Sequence, residues 1–334
     1  MPGIRLKPIR EQVVVVTGAS SGIGLATSRL LARRGASVVL VSRDGETLRK
    51  IVAGIEADGG RAAYAVADVG DAAQVEAAAE FALARFGRID GWVNNAGVAL
   101  YARLVDTPAD DHERMFRTNY WGVVNGSLTA VRHLRDAGGA IVNLGSIGSD
   151  VASPVLSAYS SAKAAVKQYT RTLQDELYVD GIPVAVTLLR PSGVGTPLAE
   201  HAAVHMKGEA RLPHPFYDTA VVAEAVVDAL RHHRGDMIVG GTGRVLVPLS
   251  HLFPSLRRLL SWPIADGLED RSRAPRRANN LYAPMGGMRE RTAEPPARTS
   301  SVTTAAARHP WLAAALLVAG VAAVAGIAKP PQRR

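Results

Sequence analysis

The chain contains no cysteine. That excludes a disulfide framework, a thiolate metal site and a cysteine nucleophile together. Aromatic residues make up only 5% of the sequence, and they form no interleaved platform of the kind on which nucleic-acid bases stack. Acidic residues are outnumbered 30 to 39 by lysine and arginine, a formal net charge of +9 at pH 7. Mapping that excess changes its meaning. Residues 251–334 hold 13 of the basic and only 5 of the acidic side chains, so residues 1–250 are nearly balanced. The body lacks the basic stripe that nucleic-acid binding requires, and no nucleic-acid partner is expected. The opening MPGIRLKPIREQ has no apolar run long enough for a signal peptide. No internal repeat is visible.

What is present points to an α/β protein. Apolar residues make up 47% and there are 32 glycines, a composition suited to many tight turns. Short β-branched runs predict buried strands at residues 13–16, 37–41, 63–67, 91–93, 140–144, 184–189 and 237–239. Amphipathic stretches predict helices at 23–34, 44–57, 72–86, 110–135, 159–179 and 220–232. Such alternation means right-handed crossovers and a doubly wound, seven-stranded parallel sheet with helices on both faces, the Rossmann type. Ligands of such sheets lie at the carboxyl ends of the strands, where strand order reverses.

Past residue 250 the character changes. Residues 249–264 are apolar around Arg257 and Arg258, an amphipathic stretch suited to capping a pocket or lying on a membrane. Residues 265–308 are rich in Arg, Pro, Ala, Ser and Thr and read as a flexible basic linker. Residues 311–328 carry no charge over 18 positions, flanked by Arg308, His309 and Lys329 and with Trp311 at one edge. That is the threshold length for a transmembrane helix. The expected organisation is therefore a catalytic domain over 1–250, the amphipathic segment and linker over 251–308, and a hydrophobic anchor helix over 309–329. Such an anchor would place the protein on the cytoplasmic face of a membrane.

TGASSGIG at residues 17–24 joins the first strand to the first helix. There Gly18, Ser20, Ser21, Gly22, Ile23 and Gly24 let backbone approach a pyrophosphate at a helix N-terminus. A lone glycine-rich turn is weak evidence, but the strand and helix around it are the context that makes it informative. Arg43 follows the second strand, where an adenosine ribose would lie. An Asp or Glu there would select NAD(H), whereas a guanidinium can pair with a 2′-phosphate. NADP(H) is thus the expected cofactor, with NAD(H) the alternative. The plain reading of Arg43 is a solvated charge at a helix start. Asp68 and Val69 follow the third strand, with Asp68 placed to accept from an adenine amino group or simply to cap the next helix. Asn95, Ala96 and Gly97 follow the fourth strand and let backbone pass close to the cofactor.

Ser146 follows the fifth strand, and Tyr159 and Lys163 stand four apart on a predicted helix face. A free phenol has a pKa near ~10, and a nearby ammonium would lower it toward a useful base. Ser146 would polarise the same substrate oxygen. Tyr-x-x-x-Lys alone is nearly uninformative. In combination these residues resemble the short-chain dehydrogenase/reductase family over roughly residues 10–245, through TGASSGIG, NNAG at 94–97, Asn119, Ser146 and YSSAK at 159–163.

The resemblance implies a catalytic set of Asn119, Ser146, Tyr159 and Lys163. It implies that Lys163 also grips the nicotinamide ribose, that Asn119 extends a proton relay to solvent, and that Pro191, Val194 and Thr196 contact the nicotinamide carboxamide. It also implies a homodimer or homotetramer, paired through the helices at 110–135 and 159–179. Two departures stand out. Ser192 occupies the usual glycine place after the sixth strand, and Ser21 stands where NADP-using members often carry a basic residue in the glycine turn. Residues 197–219, with His201, His205, His214, Phe216 and Tyr217, should form a flap over the substrate; no carboxylate cluster at ligand spacing accompanies those histidines, so no metal is expected. The expected function is NADP(H)-dependent interconversion of a secondary alcohol with a ketone or aldehyde, on a small hydrophobic substrate. The rival is a catalytically idle NADP(H)-binding sensor or scaffold attached to a membrane.

Overall fold

The first strand, β1 (Val13–Thr17), is buried at all five positions. A run of valines with no polar face can satisfy itself only inside a sheet covered on both sides. The computed structural model, which describes residues 4–293 and 297–308, places it so. Val14 and Val16 pack into one core with Leu25, Leu31, Leu48 and Val226. Val15 faces the opposite core, among Val75, Ala79, Leu134 and Leu173. The period-2 alternation of a strand thus serves two hydrophobic layers.

The other strands of its sheet are β2 (Ser37–Ser42), β3 (Arg61–Val66), β4 (Gly91–Asn94), β5 (Gly139–Leu144), β6 (Val184–Pro191) and β7 (Asp236–Val239). They form one parallel sheet in the order β7-β6-β5-β4-β1-β2-β3. Strand order reverses between β1 and β4, which is where a doubly wound sheet opens a crevice. The helices are α1 (Gly22–Arg33), α2 (Gly45–Ala57), α3 (Ala72–Phe86), α4 (Ala109–Phe116), α5 (Gly122–Leu134), α6 (Ser157–Val179) and α7 (Thr219–Ala229). Asp44, Asp71 and Asp218 cap α2, α3 and α7 through their carboxylates, satisfying N–H groups that a helix start leaves unpaired.

The long helix expected over 110–135 is present from 109 to 134, with one change of hydrogen-bond step inside it. Between α4 and α5 lies a π turn, Arg117–Trp121. Its widened ladder turns Thr118 and Asn119 inward, where both are buried. Single π turns of this kind recur at functional sites.

A correction lies beyond residue 240. The amphipathic stretch expected at 249–264 falls within two helices, α8 (Gly241–Leu252) and α9 (Pro254–Gly267). The described residues of the expected flexible linker are instead laid along the body. Glu269–Asp270 pairs antiparallel with Glu209–Ala210, Leu281 is 1% exposed, and Arg298 bridges to Tyr217. A further helix, α10 (Val302–Arg308), offers Thr304 Oγ1 to the Gly240 N–H at 2.9 Å. These anchors are largely backbone hydrogen bonds and ion pairs, which a composition reading does not register. The expectation of a membrane-spanning helix is also corrected: among the described residues, no helix is long and apolar enough to cross a membrane. The run at 311–328 that prompted it lies outside the described residues.

Candidate active site

The crevice at the switch point continues into a cavity of about 380 Å³. Its floor is the glycine turn. Gly18 has φ +65°, and a Cβ there would lie 2.7 Å from the Ala96 Cα. A Cβ on Gly24 would lie 2.2 Å from the Gly18 carbonyl oxygen and 2.5 Å from Asn95 Nδ2. Neither gap admits a side chain, so the turn can close only on glycine. Asn95 braces it from the neighbouring strand, donating through Nδ2 to Thr17 O at 2.9 Å and Gly18 O at 3.2 Å. Gly18, Ser20, Ser21, Gly22 and Ile23 line the cavity at the start of α1, and Asn95, Ala96 and Gly97 line it after β4. Gly24 stands behind this wall as a close-packing position. The cradle of backbone N–H groups at a helix start is a fit for a pyrophosphate.

Arg43, Asp68 and Val69 line the adenosine end. The Arg43 guanidinium is not free in solvent. It donates through Nη2 to Asn280 O at 2.5 Å and through Nη1 to Leu281 O and Tyr282 O at 3.3 and 3.1 Å. A guanidinium carries five N–H donors, so donors remain beyond those three bonds. Asp68 accepts from Gly70 N at 2.9 Å and from Arg114 Nη2 at 2.6 Å. Burial pushes its carboxyl upward, but the Arg114 and Gly70 hydrogen bonds and the nearby guanidinium charges outweigh that and leave it lowered. Asp68 is thus an ionised acceptor already shared with Arg114, a residue the motif reading missed because nothing in its helical pattern marks it.

Ser146, Tyr159 and Lys163 meet at the other end of the cavity. Starting α6 at Ser157 carries Tyr159 and Lys163 on the same helix. Lys163 is 4% exposed, its Nζ donates to Leu144 O at 2.7 Å and lies 5.8 Å from the Tyr159 ring centroid. Burial lowers the Lys163 ammonium to about 8. Burial also pushes the Tyr159 phenol above its ordinary value, with the Ser146 hydroxyl opposing. This differs from the sequence expectation of a phenol lowered by Lys163. Enclosure outweighs the Ser146 hydrogen bond, and the phenol is held in its protonated form. Ser146 caps its own short turn by accepting Gly148 N at 3.0 Å.

Asn119 does not line the cavity wall. Its Oδ1 accepts Val98 N at 2.8 Å and its Nδ2 donates to Val98 O at 2.9 Å, so its side chain mimics a paired peptide behind Gly97. Pro191, Val194 and Thr196 line the cavity after β6. Ser192, in the place of the usual glycine, is buried: its Oγ accepts Gly243 N at 3.0 Å while its own N–H donates to Val239 O at 2.8 Å. The side chain therefore pins the loop to the start of α8. Of the flap histidines, His201 and His214 line the cavity, whereas His205 faces outward to Asp111 at 2.7 Å.

Behind the chemical end sits a buried charge cluster that the sequence did not suggest. Asp150, one turn past Ser146, accepts Lys167 Nζ at 2.8 Å, Arg190 Nη1 at 2.6 Å and Ser149 Oγ at 2.8 Å. Arg190 immediately precedes Pro191 and also donates to Asp236 at 2.9 Å. The Ser146 turn, α6 and the end of β6 are thereby tied at one point.

A model of the short chain dehydrogenase family matches residues 12–206. The chain belongs to the short-chain dehydrogenase/reductase family. Among its relatives is an uncharacterized oxidoreductase, YxnA, of Bacillus subtilis (strain 168), 38% identical over 326 residues, covering 96% of this chain and 91% of the relative. A relative from Mycobacterium tuberculosis (strain CDC 1551 / Oshkosh) that bears the name "Putative oxidoreductase SadH" is 31% identical over 263 residues, covering 76% of this chain and 95% of the relative. A short-chain dehydrogenase/reductase from Burkholderia phymatum, solved with NAD, superposes with a TM-score of 0.68 at 27% identity, covering 75% of this chain and 97% of that one. An alcohol dehydrogenase from the archaeon Thermococcus sibiricus, complexed with 5-hydroxy-NADP, gives 0.60 at 29% identity over 68% and 95%. The protein is thus an oxidoreductase of this family, with the fold the strand pattern implied.

Proposed function

We propose that this protein is an NADP(H)-dependent carbonyl reductase, or the reverse alcohol dehydrogenase, acting on a small hydrophobic alcohol or ketone. The observation that carries the reading is a single cavity joining the glycine cradle to the enclosed Tyr159–Lys163–Ser146 group. When bound, the nicotinamide cofactor supplies or accepts the hydride. The residues do the rest. The Ile23 N–H at the start of α1 would hold the pyrophosphate, with Gly18 and Gly22 letting the backbone approach it, Asp68 near the adenine and the free donors of Arg43 on a 2′-phosphate. Lys163 would reach the nicotinamide ribose, and Pro191, Val194 and Thr196 the carboxamide side. The Ser146 hydroxyl donates to the substrate oxygen and orients it. Tyr159, kept protonated by burial, gives its proton to that oxygen during reduction and recovers it through the Lys163 ammonium. With the Asn119 side chain occupied by Val98, any relay past it runs through its main chain.

The substrate class rests on the walls of the same cavity. Val151, Leu156, Leu198, Leu212, Leu246 and Ile264 line it, and apolar walls with few polar groups suit an apolar molecule oriented by one oxygen. Consumption of NADPH and of NADH with a panel of apolar ketones and aldehydes tests the reading. Turnover with NADPH at a kcat/KM about tenfold or more above that with NADH is expected, since a charge-assisted pair contributes on that scale. Equal use of both cofactors would remove Arg43 from the argument, and absence of turnover across the panel would count against a reductase.

A further inference from the structure

The segment 280–293 crosses the cavity at its adenosine end and is held on several sides. Three of its carbonyls, those of Asn280, Leu281 and Tyr282, accept from Arg43, and Leu281 O also accepts Arg114 Nε at 3.0 Å. Arg289 O accepts the Gly22 N–H at 2.9 Å, from within the glycine turn itself. Two anchors stand outside the cavity. Arg29 on α1 reaches Glu290 at 2.7 Å. Glu200, in the flap, gathers Thr292 Oγ1 at 2.7 Å, Ala293 N at 3.1 Å and Arg289 Nη2 at 2.5 Å. Asn280, Pro284 and Met285 line the same cavity as Gly18, Arg43 and Asp68.

From this placement we propose that residues 280–293 are a working part of the cofactor site: Asn280, Pro284 and Met285 enclose the adenosine end, and the dinucleotide enters and leaves only when this strap lifts from Arg43, Gly22 and Glu200. The inference rests on the cofactor reading above. In the closed form the strap covers groups on which the cofactor depends. Arg43 serves both, through different donors of one guanidinium. Opening breaks the Arg43 bonds, the Gly22 bond and the Glu200 cluster together, so the open form is a minor population and the exchange rate follows that population. Glu200 is ionised at neutral pH: burial raises its carboxyl, but Thr292, Arg289 and the Ala293 N–H more than reverse this. Its contacts are therefore charge-assisted, the stronger kind.

The test is the rate at which NADPH leaves the full-length protein, read by loss of bound-nicotinamide fluorescence on mixing with excess NADP. Glu200→Gln and the double variant Arg29→Gln, Glu290→Gln alter anchors that do not line the cavity. Release should be about tenfold faster in Glu200→Gln, as expected for loss of charge-assisted hydrogen bonds. NADPH association should accelerate in the same direction, because both pass through the open form. The double variant should show a smaller rise of both rates, and it keeps the question answerable if Glu200→Gln does not fold. Unchanged release in the variants that fold, with wild type binding NADPH, would overturn the strap and leave the cofactor reading standing. If wild type binds no nicotinamide dinucleotide, that reading fails and the strap with it.

Discussion

Lys163 gives up its proton from the folded chain at about 8 rather than at its ordinary 10.5, because burial penalises the ammonium. Between those values the unfolded chain binds the proton and the folded one does not, so stability rises with pH through this window. Below about pH 8 the buried charge costs up to about 3 kcal/mol. Urea unfolding of the cofactor-free protein across that range should show the rise in wild type and not in Lys163→Met. The same group should shape catalysis: reduction that needs the ammonium weakens as pH passes about 8, and Lys163→Arg should lift that limb out of the range. A kcat/KM profile flat through pH 9 in wild type would separate Lys163 from the chemistry. Tyr159 and Lys163 were both legible in the sequence as a spaced pair. Their enclosure was not, since spacing reports which face two side chains share and says nothing of what covers that face.

Among elements, the strands were the most legible. β1 and β2 are runs of Val, Leu, Ser and Thr buried at every position, a signature that survives without tertiary knowledge. The π turn between α4 and α5 was not legible, because Arg117–Trp121 keeps helical chemistry while changing only its hydrogen-bond step. The Asp150 cluster was equally hidden: Asp150, Lys167 and Arg190 come from three elements and meet only in the fold. The Asp150 side chain is 3% exposed, so Asp150→Asn leaves Arg190 and Lys167 sharing a buried site with less counter-charge. A loss of about 3 kcal/mol is expected in chemical denaturation, as for other broken buried pairs. A change under ~0.5 kcal/mol, the scale of an ordinary surface substitution, would mean that the cluster does not hold the Ser146 turn, α6 and β6 together.

At the scale of the whole molecule, the composition of residues 265–308 misled for a physical reason. Arg, Pro, Ser and Thr lack periodicity and read as linker, yet Arg271, Arg273, Arg276, Arg289 and Arg291 pair with acids on the body and on the segment itself. Part of the basic surplus is thus balanced across the fold. The relative that is similar over 96% of this chain extends well past residue 206, where the family match ends. Asn280, Pro284 and Met285 line the same cavity as residues of the body, a unit in which the cofactor end is closed by a late segment and the chemical end by the flap and α8–α9. The central claim is that Tyr159 is the proton donor of a reductase built on this unit. Its most direct measurement is carbonyl-dependent NADPH oxidation by wild type and Tyr159→Phe, with NADPH binding measured on both. Wild type should turn over, and Tyr159→Phe should bind NADPH as well but lose about 10²–10⁴ in kcat, the range for removal of a general acid. Undiminished turnover by Tyr159→Phe would contradict the account, as would NADPH binding by both proteins with turnover by neither.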